Sequence, residues 1–99
     1  MVAEPALTRL HAHEMADRVR EGDVKSVELL DAHLASIAAT DRAIHAWLAV
    51  DEERARAAAL AADESLAAAR REGEAALAAL PPLMGVPVAL KDLVVAKGR

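Results

Sequence analysis

"GVPVALKD", residues 85–92, is the stretch on which the fold turns. Val86, Val88, Ala89 and Leu90 form a short apolar run bounded by Gly85 and Asp92, the pattern of a buried strand over about residues 86–91. Pro87 lacks a backbone N–H, which suits a strand start or an edge. A lone buried strand is not stable, because its N–H and C=O groups need neighbours. The residues before it offer helices and at most one short extended piece. The sequence therefore implies the front end of a larger α/β protein, with the partner strands supplied from elsewhere.

Upstream, the pattern is helical. In "LTRLHAHEMADRVREGD", residues 7–23, Thr8 suits an N-cap, Leu7 a hydrophobic staple and Gly22 a left-handed C-cap, so a helix is expected over about 9–21. In "VKSVELLDAHLASIAATD", residues 24–41, Ser26 suits an N-cap, Glu28 complements the helix dipole, and Val27, Leu30, Leu34 and Ile37 share one face. That helix is expected over about 26–39, forming a hairpin with the first across Gly22–Lys25. Ile44, Trp47, Leu48 and Val50 suit a short extended piece or a turn packed into the core, with helix also open, and Trp47 suits an anchor. Asp51 then caps a long helix over about 52–72, whose mostly alanine face packs closely but weakly, and Gly73 breaks it. Residues 73–84, "GEAALAALPPLM", read as a connector with room for one more helical turn before Pro81 and Pro82 impose an extended chain.

Composition limits the possibilities further. Ninety-nine residues make one small domain. Hydrophobic residues are 55% of the chain but aromatics only 1%, so alanine carries much of the apolar count and the core is expected to be weak. A net charge of -4 with no basic run argues against a nucleic-acid-binding face. There is no cysteine, which removes disulfide and thiolate chemistry. No secretory signal and no apolar run of membrane-spanning length are visible, so the chain reads as cytoplasmic with no membrane partner. His11, His13, His33 and His45 do not make a metal site: the first two, two apart on a helix, point in different directions, and the others belong to separate elements. The charges of residues 51–74 read as a solvated helix face or a subunit interface.

Lys91 carries the chemistry. On spacing alone, two readings stand. Its stem leaves a buried environment, where desolvation favours the neutral amine that can act as a general base. Alternatively, it marks a strand leaving the core, its ammonium in water or paired with Asp92. Asp92 itself orients Lys91 or begins the next turn.

"GVPVALKD" resembles the strand motif of the amidase signature enzymes at Gly85, Pro87, Lys91 and Asp92. The upstream phrase "EGDVKSVELLDAHLASIAATDRAIHAWLAVD", residues 21–51, is also similar to that family, and within it to the tRNA-dependent amidotransferases. The resemblance covers about residues 6–98. It implies an α/β amidase signature fold, of which this chain holds the N-terminal, mostly helical part and the first core strand. It also implies a Ser–cis-Ser–Lys triad in which Lys91 is the general base, and acyl transfer through an acyl-enzyme with an oxyanion hole. The substrate implied is glutamine or another small amide. Partner subunits B and C follow, with tRNA contacted mainly through one of these partners. ATP and Mg are implied on a partner rather than on this chain. A free-standing amidase acting on small amides is the neighbouring expectation. A small helical interaction module whose strand joins a partner's sheet edge is the expectation from a different class.

The sequence departs from the family in one respect. Ser26, Ser36 and Ser65 are its only serines; Ser26 reads as a cap, the others sit inside helices, and none lies in a glycine-rich loop. The chain carries one of three triad members, and no catalysis is expected from it alone.

Overall fold

The structure is a computed structural model that describes residues 7–47 and 49–89. Among the described residues, four complete helices follow in order: α1 over Ala12–Glu21, α2 over Ser26–Ile44, α3 over Glu52–Glu72 and α4 over Glu74–Ala79. The long third helix and its Asp51 cap lie where the sequence places them, the Asp51 carboxylate accepting the Arg54 N–H at 3.2 Å.

The first two helices differ at their ends from expectation. α1 begins after His11, whose own N–H donates to the Glu14 carboxylate at 2.8 Å, and not after Thr8. The Glu14 side chain satisfies a donor that otherwise has no helical partner, which fixes the start there. Gly22 does close α1 in the left-handed region, at φ 84°, with the Asp23 N–H bonded back to the Arg18 carbonyl. α2 runs five residues beyond the expected Ala39. The Thr40 hydroxyl donates to the Ser36 carbonyl four residues back, so it is satisfied within the helix instead of breaking it. The Asp41 carboxylate takes the Ala46 and Trp47 N–H groups beyond the helix end, where His45 is left-handed at φ 56°.

The paired helices are α2 and α3, not α1 and α2. Asp63 of α3 bonds to the start of α2 at Ser26, while Arg56 pairs with Asp31 at 2.8 Å, so residue numbers rise on one helix as they fall on the other. The pair is antiparallel. Ala32, Ala59 and Ala69 are buried, and small side chains let the two backbones approach.

The core sits at one end of this pair. Met15 and Val19 of α1, Val24 of the α1–α2 link, Leu29 of α2 and Leu66 of α3 form it, with Leu7, Leu10, Leu77, Leu80, Met84 and Val86 packed around them. Burying Leu29 and Leu66 contributes about 1.5–3 kcal/mol each. The predicted α2 face is only partly right: Leu30 is buried, Val27, Leu34 and Ile37 are half-buried, and the fully buried Leu29 lies one position off that stripe. The other end of the pair is bare. Ile44 is 66% exposed, Trp47 38% and Val50 42%, so Trp47 is not the expected core anchor. The Asp41 bonds hold its backbone just past α2, remote in sequence from every core residue.

No strand occurs among the described residues. Residues 86–89 are irregular, and the Val86 N–H is used in a turn to the Leu83 carbonyl at 3.0 Å. The expected strand over 86–91 is corrected to that extent, for the reason that a ladder needs a second strand. Its remaining residues, 90 and 91, lie outside the described residues, as does Leu48.

Asp63 makes a second polar link between the paired helices, beside the Arg56–Asp31 ion pair. Its carboxylate accepts the N–H groups of Ser26 at 2.6 Å and Val27 at 3.1 Å, so α2 takes its cap from α3. Asp63→Ala is expected to cost about 1–2 kcal/mol through loss of that cap. For a chain of this size, each kcal/mol lowers the thermal midpoint by about 4–8 °C. Asp17→Ala, on the exposed face of α1, should barely move it. Equal circular dichroism melts for the two variants would contradict the link.

Candidate functional site

Lys91 and Asp92, the residues singled out for chemistry, lie outside the described residues. What the structure does show is how the chain is held as it approaches them. After α4, Leu80 is extended and Pro81–Pro82 carry the chain into two successive turns, Met84 N–H to Pro81 carbonyl at 3.1 Å and Val86 N–H to Leu83 carbonyl. Proline's fixed φ and missing donor suit this path.

Three side chains from the helices fasten that path. The Arg20 guanidinium of α1 donates to the carbonyl of Leu77 and to that of Pro81 at 2.9 Å. The Ser26 hydroxyl, at the start of α2, donates to the Gly85 carbonyl at 2.8 Å, and Ser26 is 2% exposed. Val19 of α1 lies against Gly85: a Cβ there would stand 3.0 Å from Val19 Cγ1 and 3.3 Å from Ser26 Cβ. Gly85 also has φ 86°, a region that side chains disfavour. The glycine of the motif is thus required twice, by conformation and by close approach.

A fourth side chain secures the support itself. Arg70 of α3 donates to the Val19 and Arg20 carbonyls at 3.2 and 3.3 Å at the C-terminal end of α1, the Val19 carbonyl also accepting the Gly22 N–H. Charge-assisted bonds of this kind are stronger than neutral ones.

Ser26 is a correction: in place of the cap that its position suggests, Lys25 holds the cap position, Asp63 supplies the acceptor, and the Ser26 hydroxyl donates to the Gly85 carbonyl. Ser36 and Ser65 lie on exposed parts of α2 and α3. The histidines are also placed differently from expectation in one respect. His11 stands outside α1, so its ring stacks on that of His13 with centroids 5.7 Å apart instead of pointing away. His33 Nδ1 bonds the Leu29 carbonyl and His45 ends α2. Among the described residues, no three His, Asp or Glu side chains form a group that could hold a metal. No helix among them is long and apolar enough to cross a membrane.

Asp63, Arg20 and Arg70 were not found from sequence. Asp63 did leave a signal, since aspartate inside an alanine-rich helix, "ALAADESL", is locally unfavourable and asks for a partner. Arg20 and Arg70 left none, because a basic residue in the last turn of a helix already has a reason to be there.

Comparison with known proteins gives sequence relatives only; no protein-family model and no solved structure matches. The A subunit of the glutamyl-tRNA(Gln) amidotransferase of Streptomyces avermitilis is 45% identical over 92 residues, which are 93% of this chain and 17% of that protein. Its namesakes from Geobacter sulfurreducens, 44% identical over 92 residues (93% and 17%), and Prochlorococcus marinus, 47% identical over 85 residues (86% and 16%), are similar to the same extent. The chain spans about one sixth of the length of these relatives and matches their N-terminal region.

Proposed function

We propose that this chain is the N-terminal scaffold of an amidotransferase A subunit, and that it holds and presents the lysine of an amide-hydrolysing triad. The observation that carries this reading is 44–47% identity to three such proteins across 86–93% of the chain. The helical support of residues 77–86 adds to it, because a base must be held in place to act.

In this reading Lys91 is the general base. As the neutral amine it takes a proton from a bridging serine, which takes one from the nucleophilic serine. That serine attacks the glutamine amide carbon. The C–N bond breaks as the nitrogen leaves with a proton, and an acyl-enzyme remains for water to hydrolyse. Ser26, Ser36 and Ser65 do not serve as the serine pair, which belongs to the part of the protein that this chain does not span. The amidase signature fold is proposed for the whole on the same ground. Ammonia would pass to a partner, where Glu-tRNA(Gln) or Asp-tRNA(Asn) is amidated. Subunits B and C are the proposed partners, with tRNA bound mainly through one of them and the whole complex in the cytoplasm. ATP and Mg are proposed to be held by a partner, and no step here is routed through them.

The test is a graft. Residues 7–98 replace the matching stretch of the Streptomyces avermitilis protein, which is assembled with its own partner subunits. Formation of Gln-tRNA(Gln) from Glu-tRNA(Gln) with glutamine as donor is expected, within about tenfold of the unaltered complex, a change of about 1.4 kcal/mol in barrier. A graft that assembles and melts normally but transfers no nitrogen would count against the reading.

A further inference from the structure

We propose that residues 80–86 are a strap that opens and closes on the helices as one unit, with Arg20 as its latch. The first observation is how the strap is attached. Among the described residues, its backbone hydrogen bonds are all local: Leu80 N–H to the Leu77 carbonyl, Met84 N–H to Pro81 and Val86 N–H to Leu83. None joins it to the backbone of α1, α2 or α3. It is held instead by side chains. Arg20 donates to the carbonyls of Leu77, Pro81 and Pro82, and Ser26 to that of Gly85. Leu80, Met84 and Val86 pack on the core but remain half-buried. The strap can therefore lift without breaking one helical hydrogen bond.

The second observation is that the latch and the turns share acceptors. The Leu77 carbonyl takes the Leu80 N–H and an Arg20 N–H, and the Pro81 carbonyl takes the Met84 N–H and another. At the far end the Gly85–Val86 peptide unit is pinned on both sides, its carbonyl by Ser26 and its N–H by the Leu83 carbonyl. Single turns do not persist in water by themselves, because one bond does not offset the order it imposes. Each turn thus depends on the clasp, and the clasp on the turns that aim its carbonyls. The base of the latch stays put, since Arg70 of α3 holds the end of α1. Opening uncovers the side of the core on which Leu80, Met84 and Val86 lie, and leaves the α2–α3 pair intact. Elements that move are drawn from such weakly attached units.

Amide hydrogen exchange in the 99-residue chain tests this. Leu80, Met84 and Val86 should share one protection factor, lower than that of the central amides of α2 and α3. Arg20→Ala should speed all three by the same factor, at least about tenfold, the worth of one charge-assisted bond. Ser26→Ala, which touches only Gly85, should speed Leu80 as much as Val86, by about threefold. Arg20→Lys keeps the charge as a single point that cannot span three carbonyls, and should fall between wild type and Arg20→Ala; it also serves should the alanine variant fail to fold. Throughout, the α2 and α3 amides should keep their wild-type rates. A Ser26→Ala chain in which Val86 speeds up and Leu80 does not would show a segment that frays piece by piece, and would overturn the unit. Unchanged exchange in the Arg20 variants would overturn the latch. Acceleration of the α2 and α3 amides by the same factor would show that the strap opens only when everything unfolds, and would overturn the proposal as well.

Discussion

Replacing Lys91 by Arg in the grafted complex is expected to abolish glutamine turnover, by a factor on the order of 10³ or more, while the complex assembles and melts as before. Arginine keeps the positive charge and most of the length. It cannot give up its proton at any working pH, so it cannot accept one from a serine. Lys91→Ala should fall equally far, since both variants lack a base, and both should keep whatever rate binding and the oxyanion hole supply. The comparison decides between the two readings that spacing left open. A lysine that only marks the exit of a buried run, or only pairs with Asp92, is replaced by arginine at little cost. Ammonia release by Lys91→Arg near the wild-type rate would therefore make Lys91 a structural charge.

The second large effect is expected at Gly85. Gly85→Ala places a methyl group 3.0 Å from Val19 Cγ1 and 3.3 Å from Ser26 Cβ, both parts of buried residues that cannot swing aside. It also forces alanine to φ 86°. Left-handed backbone costs about 1–2 kcal/mol for a residue with a side chain, and overpacking a close contact about 1–3 kcal/mol. The sum, about 2–5 kcal/mol, is a large part of what holds a small domain together. Gly22→Ala is the informative comparison. Gly22 has nearly the same φ, 84°, yet its nearest neighbour is the guanidinium end of Arg70, a flexible side chain that can move. It should lose less. Denaturant midpoints of the two variants separate the contact from the conformation, and equal losses would mean that Gly85 is not packed against α1 and α2.

Much of the helical framework was legible because it depends on local chemistry. Asp51 capping α3, Gly22 closing α1 and Gly73 breaking the long helix each follow from what one side chain, or its absence, does to the nearest backbone. Some errors arose where a partner distant in sequence decided the outcome, and others where a local side-chain bond moved a helix end. Ser26 has the composition of a cap, but Asp63 lies 37 residues away and takes that role. Thr40 and Asp41 look like a stop, but their oxygens bond within and just beyond α2 and lengthen it. Trp47 is the one aromatic residue and invites a place in the core, yet the core gathers at the other end of the α2–α3 pair around Leu29 and Leu66. The candidate site was legible as a motif and not as a structure. "GVPVALKD" pointed to a strand and a base, whereas Ser26 bonds its Gly85 carbonyl, Arg20 bonds carbonyls just before it and Asp63 bonds the N–H groups that start α2, all through backbone groups that no spacing rule reveals.

The central claim is that the helices hold the chain at Gly85 ahead of the motif lysine. Amide hydrogen exchange at Val86, in the 99-residue chain, tests it most directly. That N–H is half of the pinned peptide unit and lies in no helix. It should exchange at least about tenfold more slowly than in an unstructured chain, which corresponds to about 1.4 kcal/mol of local stability. Its protection should fall in Ser26→Ala. Exchange of Val86 at the unstructured rate, with the amides of α2 and α3 still protected, would show helices that form without holding the segment, and would contradict the claim.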